Sequence, residues 1–300
     1  MPIEKRKTMD FQKAQGFKDY VVVKNIKNFE LDHVFECGQC FRWNKTETGS
    51  FIGVAYGKVI EVEKSGDDLI IHNTTIEEFN TIWREYFDLS RDYAEIKKEL
   101  SKDALLKKSV DFGNGIRLLK QEHFELLLSF IISSNNRIPM IKRAIATISE
   151  KWGEKIEYKG IAYYSFPTIE NLKTKTLEDF QNCSIGFRAK YINDTCQKVY
   201  ENNGVLDNIC SLDDNECHIE LQKFMGVGPK VADCIMLFSM QKYSAFPVDV
   251  WVKRAMMHFY VAPDVSLKRI REFGRDKFGE LSGFAQQYLF YYARENNIEV

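Results

Sequence analysis

Residues 221–256, LQKFMGVGPKVADCIMLFSMQKYSAFPVDVWVKRAM, restrict the folds open to this chain more than any other stretch. An apolar run leads into Gly226-Val227-Gly228, and a helical pattern restarts with Lys230 in its first turn. Two glycines around one valine suit a tight reversal in which the backbone takes positive φ. Pro229 falls at the first helical position, where a missing N–H is harmless. Val231, Ile235 and Phe238 follow at helical spacing, which predicts a buried face on the second helix. The stretch therefore reads as a helix-hairpin-helix over about residues 217–240. Backbone N–H groups at Gly226, Gly228 and the following helix start are left free for a phosphate oxygen. That implies a grip on a nucleic-acid backbone, independent of its sequence, and says nothing yet about chemistry.

Two further residues add chemistry. Lys230 begins a helix, near backbone dipoles of positive sign and beside an apolar face. Both effects disfavour the ammonium and favour a nucleophilic amine. Downstream, Pro247-Val248-Asp249-Val250 reads as an extended piece whose aspartate caps the next helix. Taken singly, Lys230 is better explained as one more phosphate-contacting lysine, and Asp249 as a plain cap. The pair following a glycine hairpin is far more specific.

If this chain grips nucleic acid, the cationic footprint is local, because 42 basic residues face 43 acidic ones. No run of ~20 apolar residues predicts a membrane span, and no leader-like segment precedes Met9. Residues 1–8 are polar and read equally as a native tail or an addition. Seven cysteines without framework spacing point to a reducing, intracellular setting. Cys37-Gly-Gln-Cys40 has C-x-x-C form, yet no second such pair completes a zinc site and no βαβ pattern follows. No metal and no cofactor are expected.

With 44% hydrophobic residues, 300 residues suffice for one large or two smaller cores. Residues 17–72 are strand-like, with aromatic and β-branched Tyr20-Val21-Val22-Val23, a period-two face at Val59-Ile60-Glu61-Val62-Glu63, and glycines at 49, 53, 57 and 66 as turns and bulges. An antiparallel sheet is predicted. Thr75-x-x-Glu78 reads as a capping box opening a helix whose stripe is Ile76, Phe79, Ile82, Trp83, Tyr86 and Phe87. Beyond Asn114-Gly115 the texture is helical, with helices predicted over residues 124–132, 138–152, 177–183, 189–200, 250–260 and 284–294. The predicted fold is α+β: an antiparallel sheet domain over residues 9–115, then a mainly helical domain over residues 116–300 that contains the hairpin.

G-V-G-P-K-V-A-D-C followed by P-V-D-V resembles the helix-hairpin-helix DNA glycosylases, and among them the 8-oxoguanine DNA glycosylases that carry a lysine. The resemblance spans about residues 17–294. It implies that Lys230 attacks the sugar C1′ and expels the base, and that the resulting Schiff base permits β-elimination of the 3′ phosphate. Asp249 would stabilise the cationic sugar and help manage protons. Some relatives carry an iron–sulfur cluster on four cysteines near the C-terminus; here no cysteine follows Cys234.

Four more stretches carry the likeness. Residues 37–43, CGQCFRW, resemble the family's G-Q-x-F-R-W. Guanine presents a bare acceptor at N7, whereas its 8-oxo form carries a proton there, so a carbonyl at Gly38 accepts from the lesion and repels the normal base. Ser133-Ser134-Asn135-Asn136 resembles the loop that probes the duplex, with Asn135 filling the hole left by a flipped base. Residues 186–191, GFRAKY, resemble G-[YF]-R-A-x-Y; Phe187 would wedge beside the orphan base and Arg188 contact it. Residues 283–290 resemble the base-pocket helix, where Gln286 and Phe290 share a face at i and i+4. Gln286 would read the Watson–Crick edge, Phe290 would stack on the base, and Cys234 would form the opposite wall. Singly, these are a strand-entry glycine, a helix end, a loop aromatic with a solvated cation, and an amphipathic edge.

Two positions depart from the better-known eukaryotic pattern. Met140 stands where an arginine reads the orphan cytosine, and Trp251 stands where a histidine is common. The expected partner is double-stranded DNA containing oxidised guanine, acted on by a monomer, in the cytoplasm or nucleoid of a prokaryote or the nucleus of a eukaryote. A non-catalytic helix-hairpin-helix module has no use for the Lys230–Asp249 pair. Monofunctional sister enzymes for alkylated or mispaired bases usually lack a lysine at the place of Lys230.

Overall fold

The computed structural model describes residues 9–262 and 264–298; residues 1–8 lie outside them. Six strands form one antiparallel sheet: β1 Lys13–Gly16, β2 Tyr20–Lys24, β3 Trp43–Lys45, β4 Phe51–Ala55, β5 Lys58–Ser65 and β6 Asp68–His72, in the order β1-β2-β6-β5-β4-β3. The predicted period-two pattern sets the register. Val62 pairs with Ile71 and Val21 with Ile71 on the other side, so the β-branched side chains share one buried face. Tyr56 and Gly57 both have positive φ, 51° and 67°, as a two-residue hairpin loop between β4 and β5 demands. Phe35, Trp43, Phe79, Trp83, Tyr86 and Phe87 close the sheet's inner face.

The capping box forms as predicted. The Thr75 hydroxyl accepts from the Glu78 N–H, and the Glu78 carboxylate accepts from the Thr75 N–H. The helix it opens widens into a π-helical turn over Phe79–Trp83. Its extra residue per turn breaks the expected 3.6 stripe: Phe79, Trp83 and Tyr86 are buried, while Ile76 is 39% exposed and instead covers Gly16 of β1.

The longer helices are α1 Tyr93–Leu100, α2 Ala104–Phe112, α3 His123–Ser133, α4 Ile138–Trp152, α5 Ala189–Glu201, α6 Asp214–Leu221, α7 Pro229–Phe238, α8 Val250–Phe259, α9 Leu267–Phe278 and α10 Ser282–Glu295. They share a second core in which α3, α7 and α10 are buried almost all round. Sheet and helices are both present as the α+β reading requires. A short hairpin, β7 Lys155–Tyr158 and β8 Ile161–Tyr164, interrupts the helical region where no strand was predicted. Tyr158 donates to Glu61 of β5, which ties this hairpin to the main sheet.

Candidate active site

Between α6 and α7 the chain turns through residues 222–228, so the first hairpin helix ends earlier than the sequence suggested. Gly226 has φ +86°, and a Cβ there would lie 2.6 Å from the Tyr191 ring, so only glycine fits. Gly228 differs from expectation: its φ is −93° and a Cβ would meet nothing. It serves instead as the extended N-cap of α7, where the absent side chain leaves the helix end open. The Val227 N–H bonds the Phe224 carbonyl, while no acceptor among the described residues takes the Gly226 or Gly228 N–H. With the first amides of α7, they make an end that is able to hold an anion.

Lys230 stands in the first turn of α7, half-buried, with Nζ 5.3 Å from the centre of the Phe130 ring. The Cys234 thiol lies one turn further on, near enough to feel the Lys230 charge. Burial pushes that thiol up to about 11, so it faces Lys230 as a neutral group. Asp249 caps α8 as predicted, its Oδ1 accepting from the Val252 N–H at 2.8 Å. Burial raises the Asp249 carboxyl above its ordinary range; the cap bonds and the charges of Lys230 and Arg294 partly oppose this.

These groups line one cavity of about 270 Å³, together with Gly38, Phe41, Gln286 and Phe290. That is close to the lower end of the ~300–1,000 Å³ common for small-ligand clefts. Gln286 is 4% exposed, and its Oε1 has no hydrogen-bond partner. An orphaned buried acceptor of this kind asks for a ligand donor. Gly38 has φ +80°, and Phe290 lies 3.0 Å from where its Cβ would be. The cavity thus gathers Gly38, Lys230, Cys234, Asp249, Gln286 and Phe290 from segments more than two hundred residues apart. Trp251 also lines it, with the Arg254 guanidinium 4.8 Å from its ring centre.

The remaining predicted residues form a separate rim. Asn135 is exposed at the end of α3 with φ +49°, a left-handed position asparagine tolerates. Phe187 is 57% exposed, and Met140 at 42% and Ile138 at 44% stand out from the first turn of α4, where Ile138 also borders the cavity. Arg188 departs from expectation. Its Nε donates to the Ser134 carbonyl at 2.8 Å and its Nη2 to the Asn135 carbonyl at 2.8 Å, with the side chain 8% exposed. The guanidinium is turned inward to bind the two loops together rather than outward to a base. Its planar fork meets carbonyls that the end of α3 leaves unpaired, which explains the inward turn.

Sequence reasoning missed Phe41, Phe130, Gln287 and Arg294, all of which line the cavity. Arg294 was within reach of it, because it extends the Gln286/Phe290 row by one more helical turn.

A cavity of this size, set beside a hairpin end that suits a phosphate, is the kind of arrangement used by proteins that rotate a nucleotide out of duplex DNA. Residues 21–127 match the family described as 8-oxoguanine DNA glycosylase, N-terminal domain, and residues 128–280 match the HhH-GPD superfamily base excision DNA repair protein. The chain belongs to the 8-oxoguanine DNA glycosylases of the HhH-GPD superfamily. A crystal structure of Clostridium acetobutylicum 8-oxoguanine glycosylase/lyase, bound to double-stranded DNA with cytosine opposite 8-oxoguanine, superposes with a TM-score of 0.95 at 66% identity. It covers 97% of this chain and 100% of that one. A probable N-glycosylase/DNA lyase of Methanothermobacter thermautotrophicus is 32% identical over 71% of this chain and 74% of its own. The N-glycosylase/DNA lyase of Arabidopsis thaliana is 30% identical over 87% and 76%.

Proposed function

We propose that this chain excises 8-oxoguanine from duplex DNA and then cleaves the strand at the abasic site. The observation that carries this reading is the cavity in which an amine, a carboxyl with raised pKa and an unpartnered buried amide oxygen face one another. Lys230 attacks C1′ as the bond to the base breaks, and the ring-opened sugar becomes a Schiff base on Nζ. Loss of a C2′ proton from that iminium expels the 3′ phosphate. Asp249 sets negative charge against the sugar as it becomes cationic. Gln286 reads the base edge, Phe290 and Cys234 hold its two faces, and the Gly38 carbonyl accepts from N7–H. Gly226 and Gly228 hold a phosphate, while Asn135 and Phe187 fill the gap left in the duplex. The glycosylase/lyase relative bound to lesion-containing duplex supports the same partner here. Its substrate places its work wherever the genome is kept.

Borohydride trapping on duplexes containing 8-oxoguanine or guanine tests the reading. Wild type is expected to give a covalent complex with the lesion duplex alone, and Lys230→Gln to give none. Tight lesion binding by wild type without trapping would reduce Lys230 to a phosphate contact and leave a monofunctional enzyme or a recogniser.

A further inference from the structure

Residues 36–39 lie between the short helix Leu31–Phe35 and β3, in no regular element, so no ladder satisfies their carbonyls. Side chains do so one carbonyl at a time. Arg294 donates from Nη2 to the Glu36 carbonyl. Gln287 donates to the Cys37 carbonyl at 2.5 Å, and Gln121 to the Gln39 carbonyl at 2.8 Å. Gln39, fully buried, donates to the Val34 and Arg117 carbonyls at 2.8 Å each and accepts from the Leu119 N–H at 2.9 Å. Between these capped groups, the Gly38 carbonyl receives no donor among the described residues, and Gly38 lines the cavity.

We infer that Gln287 and Arg294, with Gln121 behind them, are positioning residues for base discrimination: they immobilise the carbonyls around Gly38 so that this one alone stays free for the base. The inference rests on the reading of the cavity as a base pocket. Telling N7–H from a bare N7 depends on one hydrogen bond becoming one lone-pair repulsion, and both fade quickly as the carbonyl turns away. A loop without regular structure turns easily unless it is held. The clamp comes largely from α10, the helix that also presents Gln286 and Phe290. Gln286 and Gln287 are adjacent, and Arg294 lies one turn beyond Phe290, with its guanidinium 5.2 Å from that ring's centre. One rigid helix therefore sets the carbonyl, the stacking ring and the edge-reading amide in a fixed mutual geometry.

The test uses Gln287→Met and Arg294→Met, which keep bulk and remove the donor, and Arg294→Lys, which restores one. Each is assayed in single turnover on 8-oxoguanine and guanine duplexes, and separately on a pre-formed abasic site, where there is no base to read. The methionine variants are expected to lose about tenfold in 8-oxoguanine excision, the low end of what one base-reading contact supplies. Their preference over guanine should narrow, the loss on the abasic site should be smaller than the loss on 8-oxoguanine, and Arg294→Lys, which also keeps the charge that acts on Asp249, should recover most of the loss. Equal loss on both substrates, or no loss on either, would overturn the inference. Should buried Gln287→Met fail to fold, the two Arg294 variants decide by the same criteria. Wild type that cleaves the abasic site but leaves 8-oxoguanine in place would instead overturn the base-pocket reading, and this inference with it.

Discussion

Asp249 does two jobs with one carboxyl. Its Oδ1 caps α8 through the Val252 N–H, which fixes the side chain at the cavity wall. The same enclosure penalises its charge, so its pKa lies above the ordinary aspartate value. A carboxyl with raised pKa takes up its proton at a higher pH than an exposed one, and once neutral it no longer opposes a developing positive sugar. Excision is therefore expected to fall on the acid side with an apparent pKa above ~3.9, the unperturbed aspartate value. Asp249→Asn should remove that limb and lower the rate by about 10²–10³, the scale for losing one electrostatic stabiliser. Single-turnover rates of the folded proteins across pH 4–8 check this; a wild-type limb at or below the ordinary value would rule out the role.

On the proposed reading, the end of α3 and the start of α4 meet the base opposite the lesion. Asn135 is held in the left-handed region, and five residues on Met140 stands exposed with a thioether that donates nothing. Arg188, which the family resemblance directs to that base, is committed to the Ser134 and Asn135 carbonyls. On that reading Met140 offers cytosine no donor, and the Arg188 donors are engaged by backbone carbonyls. A good base contact is worth ~1–3 kcal/mol of discrimination, so the preference for cytosine should be relaxed by about tenfold or more. Met140→Arg should strengthen it. Excision rates against each of the four opposite bases decide; strict cytosine preference in wild type would sink the idea. Elements like this one were legible where the signal is local. The glycine hairpin, the Thr75 box and the Asp249 cap each declare themselves within four residues. The β7–β8 hairpin stayed hidden because its strands are four residues long and partly exposed, although Lys159-Gly160 is the kind of turn that joins two strands. The inward turn of Arg188 and the donors from α10 to residues 36 and 37 were not legible, since such contacts are set by tertiary packing and leave no periodic trace.

At the scale of the whole molecule, the sheet core and the helical core are joined by charged contacts that pattern reading cannot foresee. Arg117, fully buried, pairs with Asp10 at 2.8 Å, and Arg42 near β3 reaches Glu125 on α3 at 3.4 Å. Arg42 also donates to the Tyr164 carbonyl, so one guanidinium links the sheet, α3 and the β7–β8 hairpin. The Glu125 end of this junction is imperfect. Burial pushes its carboxyl up to about 7, with Arg42 only partly opposing and Glu122 adding to the rise. In the unfolded chain the same group titrates near ~4.3. Below that value both states are protonated and Glu125 costs the fold nothing. As pH rises toward 7 the unfolded chain releases the proton while the folded protein retains it, so stability is lost across this window and the loss levels off above it. Glu125→Gln lacks the titration. The melting temperature of the variant relative to wild type is therefore expected to climb between pH 4.5 and 8, by on the order of 5 °C for a chain of this size. Thermal unfolding of both proteins at matched pH and ionic strength measures it. A difference that stays flat with pH would mean that the Arg42 contact holds Glu125 ionised throughout, and that this junction strengthens the joint between the two cores.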